Sequence, residues 1–227
     1  VIRSEYSDIK ASSELAALAD VVTYEFENVD ADSVSSAEKH KPVRPSSTVL
    51  RTTQNRLHEK KALLEAGIPV ANFRKVDSLK DLEDAASVLG YPMVLKTATE
   101  GYDGKGQSII HGEHDLAISY DQLNARNVEL IVEQFVSFKA EVSTICARTA
   151  DGMTATFDPS ENIHRNHILD TSIVPARIDE SVAGKARIVA TNIAEKLDVI
   201  GLIAVEMFVT QENDILVNEL APRPHNS

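Results

Sequence analysis

Apolar and polar positions along this chain alternate between a helical period and a strand period, and each switch is marked by Gly, Pro or a capping residue. Ala19 to Phe26 reads as a short buried strand of the parallel type, with Glu25, Glu27 and Asn28 at its carboxyl end. A helical patch follows, broken by Pro42 and Pro45. Ser46 or Ser47 is placed to cap the next helix, whose apolar positions include Val49, Leu57, Leu63 and Leu64; Gly67 ends it, with Pro69 just beyond. Val70 to Val76 predicts a strand, and Ser78 with Asp81 signals a helix ending at Gly90. Met93 to Leu95 is a strand that delivers Lys96. A strand through Ile109 and Ile110, a helix after Asp115 and a buried strand from Leu130 to Val136 come next. Glu141 to Arg148 alternates, and Asp151-Gly152 turns it into a hairpin with the strand that follows. A long helix spans Glu180 to Leu197. Two terminal strands, around Ala204–Val209 and Leu216–Ala221, pair across Gln211–Asp214. The pattern mixes α/β and α+β, with a boundary near residues 42–47 and no repeat or low-complexity tract.

Composition narrows the class. At 227 residues the chain has length for one large domain or two smaller ones, with enough core to fold unaided. A net charge of −12 and the lack of a basic stripe argue against nucleic acid as a partner, because phosphate backbones reward clustered Lys and Arg. No apolar run approaches the roughly 18 residues of a membrane helix, so no membrane partner is expected. Cys146 is alone, which excludes an internal disulfide framework and fits a reducing, cytoplasmic setting; its apolar, alternating surroundings mark a buried structural thiol. The chain opens on Val1 and stops at Ser227 inside what reads as a motif, so a fragment is expected.

Candidate chemistry lies at both ends of the second half. Lys96 ends an apolar strand, where a lysine calls for a partner such as a phosphate. Gly101, Tyr102, Asp103, Gly104, Lys105, Gly106 and Gln107 form a loop whose glycines let backbone N–H groups approach phosphates. It is not a P-loop, which has Ser or Thr after its Lys and a helix following, and the glycine spacing is not that of a Rossmann fingerprint. Taken alone, Glu133, Gln134, Phe135 and Val136 read first as a simple strand end and second as backbone groups placed to read an adenine edge, and Glu141 reads equally as an exposed acidic strand residue or as an acceptor of ribose hydroxyls. Glu161, His164 and His167 have a spacing that invites zinc. Pro159 and the lack of a Cys partner favour a polar loop lining an active site instead. Glu206 and Glu219 stand in two apolar strands joined by a hairpin. Two inward carboxylates repel each other unless a divalent cation lies between them, and Mg²⁺ suits a few carboxylates plus phosphate oxygens. Asn218 can add or orient an oxygen. Arg223 suits a planar carboxylate or a phosphate, and His225 suits proton handling near neutral pH.

In this order the residues resemble the ATP-grasp superfamily and, within it, the family of 5-(carboxyamino)imidazole ribonucleotide synthases. The resemblance rests on Thr23 to Val29, Gln54 to Lys60, Gly101 to Gln107, Glu161 to His164 and Asn218 to Ser227. It implies a fold similar to biotin carboxylase: residues 1–45 as the tail of a Rossmann-like N-terminal domain, then an ATP-grasp core over 46–227. Within that core a lid-bearing part lies at about 76–133 and a Mg-ATP part at about 134–227. It also implies an ATP site of Arg56, Lys96, residues 101–107, 133–136, Glu141, His164, Asn218 and Glu219. Glu206 and Glu219 would hold Mg²⁺, Arg223 and His225 would do the catalytic work and face the substrates, and Glu25 would approach the substrate. The implied reaction joins bicarbonate to 5-aminoimidazole ribonucleotide at the expense of ATP in a cytoplasmic homodimer. The sister readings are another ATP-grasp enzyme, such as formate-using glycinamide ribonucleotide transformylase, or an ATP binder without catalysis.

Overall fold

The computed structural model describes residues 1–99, 106–125, 127–165 and 168–227. Three helices open the chain: α1 (Ile9–Ala17), α2 (Ala31–Glu38) and α3 (Ser47–Thr53). Asp8, Asp30 and Ser46 each turn a side-chain oxygen onto an N–H of the first turn, which satisfies donors that no helical carbonyl reaches. These helices share a small core of Ala16, Tyr24, Ala31, Ala37, Val43 and Leu50. The strand predicted over Ala19–Phe26 does not form. A single parallel bridge joins Val22 to Val43: Val22 exchanges backbone hydrogen bonds with Pro42 and Arg44, and Ala19 turns back to the Ala16 carbonyl instead of joining a ladder.

The helix predicted to run from the serine cap to Gly67 is two helices. Asn55 sits between them in extended backbone, and its side-chain oxygen accepts the N–H groups of Leu57 and His58. Helix α4 (Arg56–Glu65) therefore starts afresh, with Arg56, Glu59 and Lys60 on one side of its first turns.

Two antiparallel sheets follow. The first has β1 (Phe73–Val76), β2 (Met93–Thr97), β3 (Gln107–Ile110) and β4 (Leu130–Gln134) in the order β1-β4-β2-β3. Helices α5 (Leu79–Leu89) and α6 (Leu116–Asn124) cover one face, burying Leu82, Met93, Leu95, Ile110, Leu123 and Val132. Strand alternation then sends Lys96 and Glu133 to the other face, toward α4. The strand predicted from Val70 shrinks to β1, and Val70 instead bridges Val217.

The second sheet contains β5 (Phe138–Arg148), β6 (Thr154–Thr156), β7 (Ser160–Arg165), β8 (Ile168–Ile173), β9 (Gly201–Thr210) and β10 (Ile215–Ala221). Its order is β10-β9-β5-β7-β8, with β6 beside β5. Helix α7 (Glu180–Lys196) packs Val182, Ala186, Ala190 and Ile193 against Val142, Cys146, Val205 and Met207, so Cys146 is the buried thiol its pattern predicted. The polar stretch read as a loop at 161–167 is strand for its described residues. Ser160 and Asn162 are buried there despite their polarity, because other side chains satisfy them.

Candidate active site

A β-bulge decides where Glu219 points. Val217 pairs with Met207 and faces α7. An unbroken strand would send Glu219 the same way two residues later. The register shifts between Val217 and Glu219, so Glu219 pairs with Glu206 and turns to the opposite face, while Leu220 returns to the core. The ladder continues across the sheet through Ser143 on β5 and Ser160 on β7. One row of side chains thus runs Glu219, Glu206, Ser143, Ser160, on the face that α7 leaves uncovered.

Helix α4 brings its first turns against this row. The Arg56 guanidinium donates to both oxygens of Glu219, at 3.3 and 3.4 Å, and to the carbonyl of Thr97 at 3.3 Å. The Glu219 carboxylate, then nearby acids, holds the Arg56 pKa above its ordinary value against the opposing effect of burial. Glu59 accepts the N–H of Leu220 at 3.1 Å and is 1% exposed. Burial, and next the negative Glu219, push its pKa well above the usual carboxylate range, more strongly than Lys60 and Arg56 lower it. Lys60, also 1% exposed, donates to the Asn218 carbonyl at 3.3 Å and pairs with Glu133 at 3.5 Å. Lys96 reaches the same Glu133 oxygen at 3.1 Å. Burial works to raise the pKa of Glu133, but the charges of Lys96 and Lys60 overcome it and hold the carboxyl ionised.

The other carboxylate of the row is set by a relay of hydroxyls. Asn162 donates to Ser143 Oγ at 2.9 Å, Ser143 donates to Ser227 Oγ at 2.5 Å, and Ser227 Oγ lies 2.7 Å from His225 Nδ1. The backbone N–H of Ser227 also points at Nδ1, which makes that nitrogen an acceptor. Nε2 therefore carries the proton and donates it to Glu206 at 3.0 Å. Both ring nitrogens are engaged, so in this state His225 orients Glu206, and its one lone pair, on Nδ1, is taken up by Ser227. Arg223 grips Glu27, with Nη2 to Oε1 at 3.1 Å, and Nη1 donates to the Pro224 carbonyl. The acidic partner that holds it is Glu27; Glu25, the residue expected to meet the substrate, is exposed and acts on Arg223 only through its charge.

The remaining expected residues are partly assembled. Glu141 and His164 meet at 2.5 Å. Lys96 has its partner in Glu133 rather than standing ready for an anion alone, and Glu133 spends its side chain on the two lysines. The N–H groups of Gln134 and Phe135 are held by the carbonyls of Asn72 and Pro92, which leaves them less suited to an adenine edge than expected. Phe135 is exposed and Val136 half-buried. Gly101, Tyr102, Asp103, Gly104 and Lys105 lie outside the described residues. Gly106 is buried and its carbonyl accepts the Thr97 N–H, and Gln107 opens β3. Glu161 turns away and forms a two-pronged pair with Arg177, at 2.7 and 2.9 Å. Among the described residues no group of three or more His, Cys, Asp or Glu is arranged to hold a metal. Sequence reasoning passed over Glu59, Lys60 and Ser143. The signal for the first two was present: they follow Arg56 by three and four residues, on the same helical side.

Two facing carboxylates without a third protein ligand suit Mg²⁺, which keeps waters and takes further oxygens from a bound phosphate chain. Cross-strand partners stand about 5 Å apart at Cβ, close enough to share one cation. Glu206 and Glu219 are the residues that would hold it.

The antiparallel lid-like sheet, the second sheet with its row of carboxylates and the α4 clamp between them define an ATP-binding fold of the grasping type. Residues 61–227 match the ATP-grasp domain model, and residues 1–54 match the ribonucleotide synthetase preATP-grasp domain model. The chain belongs to the ATP-grasp family. It is 44% identical over 226 residues to the N5-carboxyaminoimidazole ribonucleotide synthase of Bacillus subtilis (strain 168), covering 100% of this chain and 59% of that protein. Its fold is similar to the solved ADP complex of an N5-carboxyaminoimidazole ribonucleotide synthetase, with a TM-score of 0.93, 48% identity, and coverage of 98% of this chain and 59% of that one. It is likewise similar to the Aspergillus clavatus N5-carboxyaminoimidazole synthase in complex with ADP and 5-aminoimidazole ribonucleotide. There the TM-score is 0.91, the identity 27%, and the coverage 99% of this chain and 58% of that one. The chain thus spans about three-fifths of the length of the relatives it matches. No helix among the described residues is long and apolar enough to cross a membrane.

Proposed function

We propose that this chain carries the Mg-ATP site of a ligase that makes N5-carboxyaminoimidazole ribonucleotide from 5-aminoimidazole ribonucleotide, bicarbonate and ATP, giving ADP and phosphate. The observation that carries the reading is the pairing of Glu206 with Glu219 on one sheet, with Arg56 and Lys96 reaching the same cleft from α4 and β2. The similarity to synthases solved with ADP and with the aminoimidazole ribonucleotide supports the choice of substrates. Separate cores within 76–132 and around the second sheet support a lid-bearing part at about 76–133 and a Mg-ATP part at about 134–227 inside the 46–227 unit, and a third core supports an N-terminal unit, although it takes in Leu50 of α3 beyond residue 45. The lone, buried Cys146 supports a reducing cytoplasmic setting. A homodimer rests on family likeness alone.

In this reading Lys96 leaves Glu133 for a phosphate oxygen, and Arg56 holds Glu219 in place from behind. A Mg²⁺ ion held by Glu206 and Glu219 would neutralise charge on the phosphate chain during transfer. His225 keeps Glu206 oriented through its Nε2–H. Arg223, held by Glu27 on the N-terminal helical unit, stands where it can meet the carboxylate or phosphate of the second half-reaction. Bicarbonate oxygen attacks the γ-phosphorus and ADP leaves. The resulting carboxyphosphate, or CO₂ from it, is captured by the exocyclic amine, and the bridging oxygen departs on phosphate. Bicarbonate labelled with ¹⁸O tests this sequence in a protein of the relatives' full length that carries this chain. One label per phosphate is expected. Unlabelled phosphate with full turnover would exclude bicarbonate as the phosphoryl acceptor.

A further inference from the structure

Lys60 is the bulkiest fully enclosed side chain among the described residues, and it is a cation. Lysine is almost never buried to this degree without a defined partner. Its ammonium donates to the Asn218 carbonyl at 3.3 Å and pairs with Glu133 Oε2 at 3.5 Å. Lys96 takes that same Oε2 at 3.1 Å, so two lysines share one carboxylate that is itself 3% exposed. The two are not equivalent. Lys96 retains 15% of its side-chain surface and lies on the strand that leads to residues 101–105, whereas the Lys60 side chain has 1%.

A nucleotide phosphate that recruits Lys96 would strip Glu133 of its nearer partner. A buried carboxylate left without a cation is strongly unfavourable. With Lys60 in place, Glu133 stays neutralised while Lys96 moves. We infer that Lys60 is a positioning residue that holds Glu133 when Lys96 exchanges it for a phosphate, and that ties this exchange to the strand carrying Glu219 through the Asn218 carbonyl. The inference rests on the reading above, that Lys96 meets a phosphate of the nucleotide.

The test is calorimetric titration of the 227-residue chain, in Mg²⁺, with ATP and separately with adenosine, which has base and ribose but no phosphate. In Lys60→Met, Lys96 is the one cation still in direct contact with Glu133 among the described residues, Arg56 acting only at a distance, and Glu133 retains it. ATP affinity falls by about tenfold or more, the scale of leaving a buried charge without its hydrogen-bonded partner, and adenosine affinity is unchanged. In Lys60→Met/Glu133→Gln there is no carboxylate to hold Lys96, and ATP affinity returns to within about threefold of wild type, as replacing both members of a buried pair allows. Lys60→Gln, which keeps an N–H donor, stands in if the methionine variant does not fold. Equal weakening of ATP and adenosine, or no recovery in the double variant, overturns the inference and identifies Lys60 as a structural group only. A wild-type chain that binds ATP no better than adenosine fails differently: it removes the phosphate contact of Lys96, and the inference falls with that reading.

Discussion

Glu59→Gln is expected to stabilise the protein at neutral pH and to leave its stability unchanged near pH 4. Glu59 is enclosed between α4 and β10, accepts one backbone N–H, and has a second oxygen with no hydrogen-bond partner among the described residues. Burial first, and the charge on Glu219 second, favour the neutral acid in the folded state, so its folded pKa lies well above the ordinary 4.5. The unfolded chain therefore binds fewer protons than the folded one at any pH between those two values. Stability falls as pH rises from about 4.5 toward the folded pKa, by at most about 1.4 kcal/mol per pH unit for one proton. Glutamine keeps a carbonyl for the Leu220 N–H and carries no charge, so this penalty disappears. The assay is urea unfolding of wild type and variant across pH 4 to 8. The difference in unfolding free energy should be near zero at the acid end and grow with pH in favour of glutamine. A difference that is flat with pH, or that grows in favour of wild type, would refute the argument that Glu59 is held neutral.

Two other substitutions follow from the same contacts. Glu219→Ala in a protein of the relatives' full length should cut ADP release by about a hundredfold or more, as loss of a group acting in the transition state does, and near-normal turnover would remove the metal assignment. Asn55→Ala deletes the side-chain cap that accepts the Leu57 and His58 N–H groups and the bond to Glu129, and should lower unfolding free energy by about 1–2 kcal/mol; a change within error would show that α4 does not depend on that cap.

The sequence was most legible where one period governs a whole element. Helix α7, the hairpin of β9 and β10 as far as its bulge, and the alternation of β5 from Glu141 to Arg148 all carry apolar residues at one period against one core, and the structure has them as expected. Legibility failed where side chains replace backbone partners. Asn55 splits a helix that apolar spacing had joined, because a cap is a single polar residue and leaves no period. The strand Ser160–Arg165 reads as a loop because its buried side are Ser160 and Asn162, satisfied by Ser143 across the sheet rather than by water. The strand expected at Ala19–Phe26 had the right composition, yet a strand exists only where a partner runs beside it. The site shows the same division. Glu206, Glu219 and Lys96 stood out as charges in apolar strands, whereas Arg56 came from the family resemblance alone. The direction of Glu219 depends on a bulge, and the roles of Glu59, Lys60 and Ser143 on contacts between residues up to 161 positions apart, as from Glu59 to Leu220, which no local pattern records.

The measurement that bears most directly on the account is ADP release by a protein of the relatives' full length that carries this chain, supplied with Mg-ATP, bicarbonate and 5-aminoimidazole ribonucleotide and then deprived of each in turn. The account predicts that steady release requires all of them and that formate does not replace bicarbonate. ATP binding without ADP release in the complete mixture, or release that depends on formate, would contradict it.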